Sequence, residues 1–220
     1  METRVPHFFT LVECCVNVSV TGLERGYRVY KYLLLAIALC AGDDVLAHED
    51  REGGGGFMVG LLHPVLGFDH FLAMLSVGIL SVQIGGRAVW VVPTTFVSVM
   101  VVGNVLGFFN LEIPMVETGI ALSVLALGIA LAASQKLPIW TSMLFVGCFA
   151  IFHGHAHGTE MPLIANPYFY ATGFVTGTAV IHLLGVSIGF TARKPHWGAG
   201  VLRYVGAAIA GIGFHILVLA

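Results

Sequence analysis

Charge is scarce in this chain. Lysine, arginine, aspartate and glutamate make up 10% of its 220 residues, 57% are hydrophobic, and the mean hydropathy is +0.91. A globular domain carries about 25% charged residues, so a water-soluble surface is excluded. The net charge of -2 leaves no basic footprint for nucleic acid. No glycine-rich nucleotide loop and no phosphorylatable transport signature is present, so the sequence offers no nucleotide partner. Internal repeats and a soluble domain are also lacking. Cysteine is scarce as well, with four in all. Cys14, Cys15 and Cys40 fall in an N-terminal leader, and Cys148 alone remains. An intramolecular disulfide is therefore excluded in the mature chain. Cys148, inside an apolar helix, reads as a buried packing residue.

What the chain has in abundance is apolar runs of about 20 residues, each long enough to cross a ~30 Å hydrocarbon layer as a helix. The expected fold is an all-α polytopic membrane protein. The first run is different. Arg25, Arg28 and Lys31 precede the short apolar "YLLLAIALCAG", and "DDVLA" follows. A basic region, a core too short to span and small residues make a cleavable signal peptide. Cleavage is expected after Ala47, with Val45 and Ala47 as the small residues before the cut. Cys40 sits like a lipobox cysteine, but the bulky Leu39 before it argues against a lipid anchor. Residues 1–24 read either as an extended leader or as sequence ahead of the true start codon. The organisation is thus a leader and signal peptide over 1–47 and one six-helix transmembrane domain over 48–220.

The mature chain begins "HED", a polar lead-in, and "GGGG" at 53–56 reads as flexible. Spans are predicted over 57–83, 88–109, 115–134, 138–156, 167–191 and 199–219. The breaks hold glycine, proline or charge, as in "NLEIP" at 110–114 and "MPLIANP" at 161–167. Alternate loops carry Arg87, then Lys136, then Arg193 and Lys194, whereas Glu112, Glu117 and Glu160 lie in or beside the others. Basic loops stay cytoplasmic. Both mature termini are then periplasmic, as a cleaved signal peptide also requires. Gly173 with Gly177, Gly185 with Gly189, and "GAAIAG" at 206–211 are small-residue patterns for close helix contact.

Polar groups interrupt the apolar runs at two places. In "HPVLGFDH", residues 63–70, a continuous helix would put His63 and His70 on one face, two turns apart, with Asp69 beside it. Pro64 cannot donate to the Gly60 carbonyl and is expected to bend the helix there. An ionised Asp at mid-helix costs about 2.5–3.5 kcal/mol on insertion scales, so Asp69 requires a partner. In "FHGHAHGTE", residues 152–160, His153, His157 and Glu160 form one helical stripe. Histidines at i and i+4 can clasp one metal ion. His155 points elsewhere, toward a surface role, and Gly154 and Gly158 would admit a neighbouring helix. By topology the two clusters can face each other at the outer half of the bundle. His182 lies deep in the fifth span, His215 in the outer part of the sixth, and Glu117 opens the third. Asn104 reads as a polar helix contact, Glu112 as a solvated charge, and His7 and His196 as incidental.

Imidazole and carboxylate donors, without thiolate or a methionine-rich path, suit Ni²⁺, Co²⁺ or Zn²⁺ rather than Cu⁺. "HPVLGFDH" in the first mature span and "FHGHAHGTE" in the fourth resemble the HupE/UreJ family of bacterial nickel permeases, and the likeness runs along the whole mature chain. The resemblance implies uptake of nickel, in some members cobalt, across the bacterial inner membrane, with the metal as cargo and no cofactor. It points to His63, Asp69, His70, His153, His157 and Glu160 as metal-path residues and fits Glu117 to an acidic position in the third span. His182 and His215 join the candidates from their placement. The alternative is an intramembrane zinc hydrolase, which needs about three ligands converging on one metal with an open position and a lipid-accessible cleft. A permease needs ligands spread along a passage. A haem protein with axial histidines is a weaker third reading.

Overall fold

The computed structural model describes residues 55–162 and 165–220. The leader, signal peptide and cleavage point expected over 1–47, and the polar start of the mature chain, lie outside the described residues. Among the described residues the fold is all helical. Its elements are α1 (Gly55–Leu66), α2 (Phe68–Ile84), α3 (Ala88–Phe108), α4 (Val116–Ala133), α5 (Ile139–Thr159), α6 (Pro167–Ala192) and α7 (Gly198–Leu219). Gly55 and Gly56, expected in a flexible lead-in, open α1 instead.

Helices α3 to α7 are each long and apolar enough to cross a membrane, and they lie where five spans were expected. Their ends follow local chemistry. Asn166 caps α6 by accepting from the Tyr168 and Phe169 amides, and Pro167 takes the first helical position. The first expected span is not one helix. It breaks into α1 and α2, bent by 80° about Gly67. Pro64 withholds a backbone donor from the turn before it, and α1 ends within one turn. Gly67 then turns extended, with φ -76° and ψ 103°. The break is thus at Gly67 and not at the Gly60–Pro64 turn. His63 and His70 lie on separate helices, so a shared helical face does not relate them. The bent pair together has the length and hydropathy of a further span.

Glycine seams hold the helices together. At Gly60, Gly173 and Gly177 the backbones of α1 and α6 come so close that a Cβ would collide with main chain; Gly78 and Gly185 do the same for α2 and α6. The close approaches advance together, from Phe57 beside Gly173 to Val82 beside Gly189, so the bent pair accompanies α6 along its length in the same direction. Gly103, Gly107, Gly154 and Gly158 join α3 to α5, and Gly128, Gly206 and Gly213 join α4 to α7. Lipid gives no hydrophobic drive between helices, so close backbone contact supplies the cohesion instead. The small-residue patterns read from the sequence are these seams, except that Gly211 faces open space.

One end of the bundle gathers the basic residues. Arg193 donates to the Val82 carbonyl, Arg203 to the Ala132 carbonyl at 3.0 Å, and Gln83 to the Leu131 carbonyl and Ser134 hydroxyl at 3.3 Å each. These donors satisfy the last carbonyls of α2 and α4, where the helix dipole favours positive charge. Exposed Trp90, Trp140, Trp197 and Tyr204 stand at this end too, and Tyr168 and Phe169 at the other. Aromatic belts of this kind sit at headgroup level. The core holds Met74, Phe96, Met100, Leu127 and Phe174, while Leu144, Val180 and Phe214 face outward. Cys148 also faces outward and is exposed, contrary to its expected burial, because Ala150 and Val146 occupy the inward face of α5.

Candidate metal site

The α1–α2 break builds the first half of the site. Because α2 begins afresh at Phe68, Asp69 falls in its first turn, where the helix dipole favours a carboxylate. Its Oδ1 accepts from the His70 amide at 2.8 Å and from His70 Nδ1 at 2.8 Å. The partner that the insertion cost demanded is therefore the next residue. Gly67 leaves room for it, since a Cβ there would stand 3.1 Å from His70 Nδ1. Among the described residues, the buried His70 Nε2 has no partner.

Helix α5 supplies the second half. His153 and His157, one turn apart, are buried with 0% and 1% exposure. His153 Nε2 is hydrogen-bonded to the Ser123 hydroxyl of α4 at 2.7 Å, and its Nδ1 has no partner. Neither nitrogen of His157 has one among the described residues. Glu160 caps the C-terminus of α5, an end where the dipole disfavours an anion. There it accepts from His63 Nε2 at 3.1 Å. That hydrogen bond holds the Glu160 carboxyl below its ordinary range, against the opposing effect of partial burial. Among the described residues, His63, His157 and Glu160 bring three donor atoms within 4.8 Å of one another, close enough to share one ion.

The two halves meet as a file of rings. His63 stands 4.7 Å from His157, His157 4.3 Å from His70, and His70 4.7 Å from His153, centroid to centroid. Phe96 of α3 lies 5.6 Å beyond His153, and His182 of α6 lies 5.3 Å beyond Phe96. His182 donates from Nδ1 to the Thr178 carbonyl at 2.8 Å and leaves Nε2 buried and unpartnered. Burial sets in after the first ring. The Glu160 side chain is 52% exposed and that of His63 26%, whereas His157 is 1% and His182 3% exposed. Buried polar atoms are ordinarily hydrogen-bonded, and these nitrogens have no partner among the described residues.

Seven of the nine residues singled out from the sequence are brought together in this way. The other two are not. His215 is exposed on α7, and Glu117 is exposed in the first turn of α4, at the same end as Glu160. His155 departs from its expected surface role. It is buried and donates from Nε2 to the Leu111 carbonyl at 2.8 Å, pinning the 109–115 turn to α5. Glu112 and His196 are exposed, and Asn104 is half-buried with its backbone on the α3–α5 seam and its side-chain Nδ2 without a partner among the described residues. Sequence reading missed Phe96, Phe174, Tyr170 and Ser123. Phe174 lies 4.1 Å from His157, and Tyr170 lies 5.9 Å from His63 with its buried hydroxyl unpartnered. Aromatics within apolar runs carry no signal of their own. Ser123 did, as a lone hydroxyl in the middle of "ALSVLALG".

Comparison with known proteins bears on the chain as a whole. Residues 35–216 match the family described as HupE / UreJ protein. The chain is 42% identical over 184 residues to Protein HupE of Rhizobium leguminosarum bv. viciae, an alignment covering 84% of this chain and 93% of that one. No solved structure shows significant similarity to it. With most of its length matched to the family and to a full-length relative, this multi-span membrane protein belongs to the HupE/UreJ family.

Proposed function

We propose that this protein is a divalent-metal permease of the bacterial inner membrane. It takes up Ni²⁺, with Co²⁺ as a second cargo, as a facilitator or secondary transporter and not as an enzyme. The spans number six in this reading, the α1–α2 pair being one of them. The basic end is cytoplasmic, and the Glu160 end opens to the periplasm. One observation carries the proposal: a file of imidazoles with bare nitrogens, leading from a half-exposed carboxylate to a fully buried histidine.

The donors explain how a hydrated cation would be drawn in. Glu117 and Glu160 place negative charge at the mouth, which raises the local cation concentration. His63, His157 and Glu160 offer two nitrogens and one oxygen, a set that suits Ni²⁺ and Co²⁺. The hydrogen bond between His63 and Glu160 gives way to metal bonds, with the neutral His63 ring carrying its one proton on Nδ1 so that Nε2 can ligate. His157, free at both nitrogens, faces His63 on one side and His70 on the other and can serve both levels. Beyond it stand His70 Nε2 and His153 Nδ1, then Phe96, then His182. Conduction needs sites strong enough to replace hydration and weak enough to release the ion. Successive partial sites of this kind meet that need.

The zinc-hydrolase alternative draws on the same three outer donors, since two histidines and a glutamate also make a catalytic zinc site. A hydrolase has no use for three more open imidazoles leading inward. The test is accumulation of radiolabelled Ni²⁺ by cells expressing the chain, with unlabelled Co²⁺ and Zn²⁺ as competitors. Uptake above vector control, lowered by excess Co²⁺, supports the permease. No accumulation by well-expressed protein overturns it.

A further inference from the structure

Each histidine of the file can ligate only through a nitrogen that carries no proton, and the other nitrogen decides which one that is. For His70 the decision is simple. Nδ1 faces a carboxylate, which accepts, so Nδ1 carries the proton and Nε2 is bare. For His182, Nδ1 faces a carbonyl, which can only accept, so again Nε2 is bare. His153 is different, because its partner is a hydroxyl that can donate or accept.

Ser123 resolves the ambiguity with its single proton. Its Oγ lies 2.7 Å from the Ile120 carbonyl as well as 2.7 Å from His153 Nε2. The carbonyl has no proton to give, so an oxygen pair that close requires the hydroxyl to donate to Ile120. The hydroxyl then has only lone pairs left for His153, and Nε2 must carry the imidazole proton. Nδ1, fully buried and without a partner, is left bare. We infer that Ser123 is a positioning residue for metal passage, setting the tautomer of His153 so that Nδ1 is its ligating nitrogen.

The arrangement is economical in geometry. His70 and His153 are edge to face at 4.7 Å and use opposite nitrogens, Nε2 on one and Nδ1 on the other. Ser123 is fully buried and lies on α4, outside both histidine motifs. Its back-bond to the carbonyl three residues earlier is a common habit of helical serine. Here that bond also fixes the direction in which the next hydrogen bond runs.

The inference rests on the file being a metal passage, but its first test does not need transport. ¹⁵N-imidazole NMR on purified, metal-free protein reads the tautomer directly, with His153→Ala identifying the signal. The expected result is a proton on Nε2 of His153 in the unsubstituted chain and a loss of that preference in Ser123→Ala. A proton on Nδ1 in the unsubstituted chain overturns the inference. In uptake assays, Ser123→Ala should raise the half-saturating Ni²⁺ concentration by about 10- to 100-fold, the usual effect of losing a partner of a metal-ligating histidine. Ser123→Thr, which keeps the hydroxyl and the back-bond, should restore it. In a His153→Ala background, Ser123→Ala should change Co²⁺ affinity of the purified protein little further. Unchanged affinity in Ser123→Ala, at equal protein level and thermal stability, overturns the positioning role while leaving the permease reading intact. Absence of uptake by the unsubstituted chain overturns the permease reading, and the NMR result still decides the tautomer.

Discussion

The His157 ring stands 4.3 Å from the His70 ring, although one lies on α5 and the other opens α2. That contact joins the two motifs into a single polar route. His157 is also the ring that reaches the outer pair, at 4.7 Å from His63. Replacing His157 with Phe keeps the ring and its packing on Phe174 but removes both nitrogens. Uptake by His157→Phe should fall to background, with the thermal midpoint of the purified protein nearly unchanged. Retained uptake would show that ions do not pass this ring.

Gly67 predicts a subtler effect. Its backbone is open to any residue, so the constraint is space alone. A methyl at this position would stand 3.1 Å from His70 Nδ1 and 3.4 Å from its Cβ. Gly67→Ala should push His70 away from Asp69 and cost about 1–3 kcal/mol, as overpacking does elsewhere. A lowered thermal midpoint together with reduced uptake is expected. An unshifted midpoint would mean that the break accommodates the methyl freely.

The same position marks how far the sequence could be read. Apolar runs and their polar breaks were legible, because a bilayer demands continuous helix, and α3 to α7 lie where those runs predicted. The two histidine motifs were legible because polar groups inside lipid stand out by cost alone. The break at Gly67 was not. Pro64 announced a bend, but whether the chain resumes as the same helix or a new one depends on the space that α6 leaves at its Gly173 and Gly177 seam. His63 and His70 do converge, through His157 and not through a shared helical face. The burial of His155 was illegible for a related reason, since its partner is the backbone of Leu111, where side-chain identity leaves no trace. Glu117 and His215 had the right chemistry, and only the packing shows them exposed and outside the file of rings.

Seam glycines should tolerate substitution according to what they touch. A side chain at Gly154 meets the Met100 carbonyl and the Asn104 amide, whereas Gly200 has nothing nearby. Gly154→Leu should separate α3 from α5, lower the unfolding temperature in detergent strongly and abolish uptake with it. Gly200→Leu should leave both close to the unsubstituted protein. Equal behaviour of the two variants would contradict the seam.

The pH profile separates the two donor types. The hydrogen bond from His63 lowers the Glu160 carboxyl, so its ionised form, and the tie it makes, persist above its ordinary value and are lost only as pH falls through the lowered one. As pH falls a free imidazole protonates before a carboxylate, and it cannot ligate once charged. Uptake should therefore fall as pH drops below about 6. Glu160→Gln should reduce uptake at every pH while the acid limb persists. Loss of the limb in Glu160→Gln would assign it to the carboxyl group instead.

The central claim is that the buried imidazoles and the carboxylate beside them are there to pass a divalent cation. It is tested most directly by radiolabelled nickel accumulation in cells carrying the unsubstituted chain, Asp69→Asn or His70→Ala, with membrane levels matched by immunoblot. Asp69 holds the His70 ring by a 2.8 Å hydrogen bond, so the two variants remove the orienting group and the ligand separately. Accumulation by the unsubstituted chain and background levels in both variants is the predicted result. Normal accumulation in both, at equal protein levels, would contradict it.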